Sequence, residues 1–195
     1  MAVRNIITIP DEVLKRKARK ITDFGSDLQN LIDDMVETMR VAPGVGLAGP
    51  QINVSQRVIV VEYGDEEDEE KPPKLFELVN PKITRTSKER VVGTEGCLSI
   101  PEFVGDVERF ESVTVKGQDR HGKTRKIKAF GWLARIFQHE IDHLDGILFI
   151  DIAESIYRLE DIEAAAAEAE AELEGVEELQ DSLSDENSAE AGSIN

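Results

Sequence analysis

The chain has 195 residues, 40% hydrophobic and 5% aromatic, with 40 acidic side chains against 23 basic ones and one cysteine. That size suits one globular domain with an appendage, and a lone cysteine excludes an internal disulfide framework and points to a reducing, intracellular setting. No stretch approaches the roughly 20 apolar residues of a membrane span, and nothing in the formal charge of −17 builds the basic face that nucleic-acid reading needs.

The opening MAVRNIITIP has neither a signal-peptide cleavage pattern nor the character of a transit peptide, so a soluble, cytoplasmic protein is expected. Ser26-Asp27-Leu28-Gln29 fits a capping box that opens a helix. Leu28, Leu31, Ile32, Met35, Val36 and Met39 follow on one face. The helix stops before Pro43, and GVGLAGPQ at 44–51 reads as a loop with unusual backbone demands. Arg57 to Tyr63 reads as a buried strand, and the acidic stretch Gly64 to Pro73 as a solvated loop. LFELVNP and the segments around 106–117 and 123–129 look like further strands, with a turn at Asp119–Gly122 that places His121 on the surface.

FGWLARIFQHEIDHLDG comes next. Trp132, Leu133, Ile136, Phe137 and Ile141 predict a buried helix with Gly146 as its C-terminal cap. ILFID looks like a short strand. From Ala153 to about Gln180 the alanine and glutamate content predicts a helix whose first turns dock through Ile152, Ile156 and Leu159. Residues 181–195 read as disordered. Charge divides unevenly: from Asp151 onward there are 15 acidic residues and one basic residue, Arg158, whereas the first 150 residues carry 25 and 22. The expected organisation is a catalytic domain at 1–152, an acidic helix at 153–180 and a tail at 181–195.

The chemistry sits in QHEIDH at 138–143. On a helix each residue advances about 100°, so His139 and His143 stand one turn apart and can share a cation. Glu140 misses the metal yet reaches a water bound to it, which is the logic of the H-E-x-x-H pattern. Two histidines so spaced can also be core residues with satisfied ring nitrogens. A catalytic site of this kind takes three protein ligands and keeps one position open. Cys97, in GTEGCLSI, is the candidate for the third. Cys plus two His suits zinc or ferrous iron. A cysteine nucleophile is the competing use, but it needs one nearby histidine as base rather than two spaced as chelators.

GVGLAGPQ at 44–51, EGCLS at 95–99 and QHEIDH at 138–143, in this order and spacing, resemble the peptide deformylase family over roughly residues 1–150. The resemblance implies an α+β fold in which antiparallel sheets surround the central H-E-x-x-H helix. It implies removal of the formyl group from N-formylmethionine at the start of new polypeptides. It also implies Cys97, His139 and His143 as metal ligands, Glu140 as the catalytic carboxylate, and Gln51 with the backbone N–H of Leu98 as oxyanion donors. Val45, Gly46 and Leu47 match the segment lining the substrate cleft. One divalent ion per chain is expected, ferrous iron first, with zinc, nickel or cobalt able to occupy the same site. In those roles metal-bound hydroxide attacks the formyl carbon, and Glu140 takes a proton and returns it to the departing amine.

Ile136 and Trp132 could contribute an apolar pocket for methionine. The commonest form of the first motif has alanine where this chain has Gly49, and the acidic tail is unusually long. Some family members associate transiently with the ribosome through that end, but an anionic tail should be repelled by ribosomal RNA. The partners expected are formylmethionyl nascent peptides, with no membrane and no direct reading of nucleic acid. Two rivals stand beside this: a zinc metallopeptidase of the H-E-x-x-H type, which would need a ligand downstream of His143, and a structural metal site, which would need a fourth protein ligand.

Overall fold

The computed structural model describes residues 2–64, 72–162 and 164–166. Helix α1 (Ser26–Val41) is followed by strand β1 (Gly46–Ala48), a 3-10 turn at Gly49–Ile52, and strand β2 (Val58–Tyr63). Strands β3 (Lys74–Thr86), β4 (Arg90–Cys97), β5 (Ile100–Phe110), β6 (Ser112–Gln118) and β7 (Thr124–Phe130) lead into helix α2 (Gly131–Asp145). A 3-10 turn at Phe149–Asp151 and strand β8 (Ser155–Arg158) complete the named elements. The strands form a five-stranded sheet, β1-β2-β3-β6-β7, and a three-stranded sheet, β4-β5-β8. β1 with β2, β2 with β3, β3 with β6, β6 with β7, and β4 with β5 all pair antiparallel. The architecture is the expected α+β arrangement of antiparallel sheets with few helices.

Alternation along β2 divides its side chains between two cores. Ile59 and Val61 join Leu78, Val113, Val115 and Ala129 against Ala134, Phe137, Ile141 and Leu144 of α2. Val58 and Val60 face the opposite way, against Leu31, Ile32, Met35 and Met39 of α1. Each such side chain, fully buried, contributes on the order of 1.5–3 kcal/mol of apolar transfer. A third cluster, built on Leu14, Ile100, Val107, Leu148 and Phe149, closes the three-stranded sheet. Gly146 caps α2 with φ of 78°, as its position predicts.

Several local expectations are corrected. No side chain caps α1, whose N-cap is Gly25. Gln29, the supposed partner in a capping box, instead donates to the carbonyls of Phe24 and Arg120. GVGLAGPQ is not an open loop, because Gly46–Ala48 pairs with β2. The segment around 106–117 is two strands broken at Glu111. Trp132 is 41% exposed, with the Arg135 guanidinium over its ring. ILFID makes a 3-10 turn rather than a strand, closed by Asp151 accepting from the N–H of Leu148.

Ser155–Arg158 is extended where composition predicts helix. Gly105 makes room for it, since a Cβ there would lie 2.8 Å from the Ser155 carbonyl oxygen, and strand addition to β5 overrides propensity. Helix begins only at 159. Ile152, Ile156 and Leu159 are exposed rather than docked. One compact unit runs from Met1 to Ile156 and a second from Tyr157 onward. The acidic loop at 65–71, the helix expected over 167–180 and the tail at 181–195 lie outside the described residues. Among the described residues no helix is long and apolar enough to cross a membrane.

Candidate metal centre

Helix α2 carries His139 and His143 one turn apart, their ring centroids separated by 4.9 Å at an interplanar angle of 74°. Cys97 ends β4, at a register shift that begins after Gly96. Its sulfur lies 3.3 Å from Nε2 of His143. The donor atoms of Cys97, His139 and His143 all fall within 4.8 Å of one another. A sequence separation of more than forty residues is thus closed by packing the end of β4 against the buried face of α2.

His139 is oriented from behind. Its Nδ1 is 2.9 Å from Oε2 of Glu95, which leaves Nε2 for the sulfur side of the site. Glu95 is itself buried and held by a fork from Arg109, Nε to Oε1 at 2.8 Å and Nη2 to Oε2 at 3.0 Å. Nη1 of Arg135 adds a bond of 2.9 Å to Oε1 and also donates to the carbonyls of Gly93 and Val107. Arg109 reaches on to Asp142, one residue before His143. Five charged or chargeable side chains from β4, β5 and α2 therefore form one network under the site.

The electrostatics follow. Burial opposes ionisation of Glu95, but His139 and Arg109 outweigh it and bring its pKa down to about 2. Burial alone would lower His139, yet the Cys97 sulfur and the Glu95 carboxylate raise it to about 10. His143 is pushed well below the usual histidine value by burial, with His139 and Arg109 adding to the effect. Glu140 is raised by burial to about 7, with His139 pulling it down and Glu95 pushing it up. Its Oε2 is buried and has no hydrogen-bond partner among the described residues, and neither has Nδ1 of His143. A buried carboxylate oxygen without a donor, beside a thiol and two imidazoles, is the environment a cation would relieve. One thiolate and two neutral imidazoles would leave a divalent ion with net charge +1, a donor set suited to iron or zinc. The residues fit a three-ligand ion.

The other expected residues are placed as follows. Gln51 is buried, with its Oε1 accepting from the N–H of Ala48 and its Nε2 3.6 Å from the Cys97 sulfur and 3.3 Å from Oγ of Ser99. Leu98 follows Cys97 in the turn to β5, and its side chain lies where a Cβ on Gly44 would be, at 2.8 Å. Gly46 lies against Glu140, and Val45 is 47% exposed. The side chain of Leu47 is fully buried in the α1 core, so only its backbone can line a cleft. Among the described residues, the single cluster able to hold a metal has its third member upstream of the helix, in contrast to an H-E-x-x-H peptidase.

Sequence reading missed Glu95, Arg109, Arg135 and Asp142. Two signals were available. Glu95 is two residues from Cys97 on one strand and so on its face. Arg135 is four residues before His139 on one helix. Nothing local marks Arg109.

The family model described as polypeptide deformylase matches residues 3–158. A peptide deformylase of Symbiobacterium thermophilum is 48% identical over 182 residues, covering 90% of this chain and 81% of that protein. One from Thermodesulfovibrio yellowstonii is 52% identical over 151 residues, 77% and 89% of the two chains. Among solved structures, peptide deformylase from Thermotoga maritima superposes with a TM-score of 0.73 at 37% identity, over 80% of this chain and all of that one (100%). The Ehrlichia chaffeensis enzyme in complex with actinonin gives 0.74 at 38% identity, over 80% and 91%.

Proposed function

This chain belongs to the peptide deformylase family, and on that premise we propose roles for its residues in removing the formyl group from N-formylmethionyl nascent peptides with release of formate. Cys97, His139 and His143 hold one divalent ion, ferrous in its native form, with zinc, nickel or cobalt able to replace it. The observation that carries this reading is the convergence of those three donors within 4.8 Å beside Oε2 of Glu140, a buried oxygen with no hydrogen-bond partner among the described residues. When bound, the cation supplies Lewis acidity, which acidifies water toward neutrality.

The remaining steps belong to the chain. Glu140, buried and with its pKa raised by that burial, accepts a proton from the attacking water and returns it to the departing amine nitrogen. The Gln51 amide, pinned through its own oxygen to Ala48, offers Nε2 toward the formyl oxygen as negative charge builds there. The backbone N–H of Leu98 is the second donor. Gly46 and Leu47 lie on an edge strand and Val45 immediately precedes it, so an extended peptide can run beside them. Ile136, packed at the start of the buried face of α2, and exposed Trp132 bound the space for the methionine side chain.

We read 1–152 as the catalytic domain, 153–180 as an acidic extension and 181–195 as its tail, working in the cytoplasm where nascent chains are made. Any ribosome contact is transient. The test is formate release from a formyl-Met peptide by anaerobically iron-loaded protein. Glu140→Gln and Cys97→Ser should each abolish it. Turnover that survives the cysteine change would remove Cys97 from the ligand set, and cleavage of internal peptide bonds without formate release would favour a metallopeptidase.

A further inference from the structure

The linear sequence builds no basic face, but the register of the five-stranded sheet does. Lys82 of β3 stands directly opposite Lys116 of β6, which stands opposite Lys126 of β7. One row along, Arg85 opposes Thr114, and Thr114 opposes Lys128. Residues directly opposite in antiparallel strands project from the same face. Val113, Val115 and Ala129, which alternate with them, are buried against α2, so the cations point the other way. On that other face α1 covers Val58, Val60 and Val79. Lys82, Arg85, Lys116, Lys126 and Lys128 are left exposed, and none has an ion pair among the described residues. No Asp or Glu occurs in 81–86, 112–118 or 124–130.

This placement costs stability. Like charges directly opposite each other in a sheet repel, and a chain with 40 acidic residues has ample means of interleaving them. Local rules of this kind are broken mostly at functional or strained sites, and these regularly paired strands carry the charges on an open face. A partner for that face is a polyanion, because the cations form a lattice about 4.8 Å across strands and about 6.8 Å along them. Four of the five are lysines, which bind phosphates as point charges. Phe130 lies two residues beyond Lys128, on the same face, and is 66% exposed. A basic track with one bare ring fits a single-stranded nucleic acid, the phosphates on the lysines and a base stacked on the ring. A lipid surface would call for several apolar side chains to insert, and an acidic peptide would leave the ring idle.

We propose that this face, Lys82, Arg85, Lys116, Lys126 and Lys128 with Phe130 at its edge, binds single-stranded nucleic acid through its phosphates without reading sequence.

Fluorescence anisotropy of a labelled oligouridylate with the full chain, titrated from about 50 to 200 mM salt, tests it. Five cation–phosphate contacts should give a slope of log K against log salt near −3.5, at about −0.7 per contact. The triple variant K82Q/K116Q/K126Q should flatten that slope by about 2 and weaken binding at about 50 mM salt by at least tenfold, with thermal unfolding no worse than the parent's. F130A should weaken binding several-fold and leave the slope unchanged. No binding at about 50 mM salt overturns the proposal, as does a triple variant that binds like the parent. Equal or tighter binding of polyglutamate or of phosphatidylserine vesicles, lost in the same triple variant, would assign the face to an acidic protein or a lipid instead.

Discussion

A Cβ built on Gly46 would lie 2.4 Å from Oε1 of Glu140. The first glycine-rich segment and the H-E-x-x-H helix therefore meet at the one carboxylate assigned to proton transfer. The requirement is not backbone freedom, since Gly46 is extended and paired with Val61. It is the absence of a side chain. Gly46→Ala should shift the carboxylate by about an ångström and lower kcat by about 10- to 100-fold, the scale of a small misplacement of a reacting group. Metal content should change far less than turnover, because the three atoms nearest the added methyl all belong to Glu140. Steady-state kinetics with metal analysis check this; an unchanged kcat would separate Gly46 from the placement of Glu140.

Glu140 also makes a pH prediction. In the metal-free protein its pKa is about 7, above the ordinary 4.5 of an exposed glutamate, so the folded state binds more protons than the unfolded one between those values. Stability then falls as pH rises through that window and stays lower above it. Glu140→Gln removes this slope. The variant should match the parent near pH 4 and exceed it at pH 8 by on the order of 3 kcal/mol, read from denaturant unfolding of the chelated proteins at each pH. A variant less stable than the parent at pH 8 would contradict the burial argument.

Glu95 acts with the opposite sign. Its folded pKa of about 2 lies below the ordinary 4.5 of an exposed glutamate, so its ionised form stabilises the fold fully above the unfolded value, and the contribution disappears as pH falls through about 2. Glu95→Gln leaves Arg135 buried without its anion and Arg109 with Asp142 alone. Breaking such a pair costs on the order of 3–5 kcal/mol. Acid titrations should show the parent losing more stability toward pH 2 than the variant, which is already destabilised at pH 7 and keeps only the losses from the other ion-paired carboxylates, such as Asp34 and Asp119. Loss of the His139 orientation should also weaken metal affinity by about 10- to 100-fold, measurable by competition with a chelator dye.

Gln51→Ala removes the side-chain donor, and with it a contact to the Cys97 sulfur, while leaving all three ligands in place. The expected loss in kcat is about 10²–10³-fold, with KM changed far less. A variant altered only in KM would make Gln51 a ground-state binding residue.

Metal removal should lower the melting temperature. An ion bound by the folded chain stabilises it by about 2.7 kcal/mol when present at about 100 times its dissociation constant. Chelation should abolish that increment in the parent and produce no shift in Cys97→Ser, as followed by calorimetry.

Much of this molecule is legible along the chain. The apolar faces of α1 and α2, the cap at Gly146, and a Cys–His–His donor set follow from periodicity and side-chain chemistry, because a helix imposes its spacing on residues near in sequence. What the sequence left open are relations between distant segments. Glu95 becomes a partner of His139 only when β4 packs on α2, and Arg109 joins it from β5 with no local mark at all. Ser155–Arg158 abandons its helical composition because the edge of β5 supplies the backbone partners that a helix would otherwise make internally. The lysine rows exist only through strand register, which brings side chains more than thirty positions apart to neighbouring places on one face. Local periodicity chose the elements and the metal chemistry; tertiary packing chose which charges became neighbours, since Coulomb interactions depend on distance in space and not along the chain.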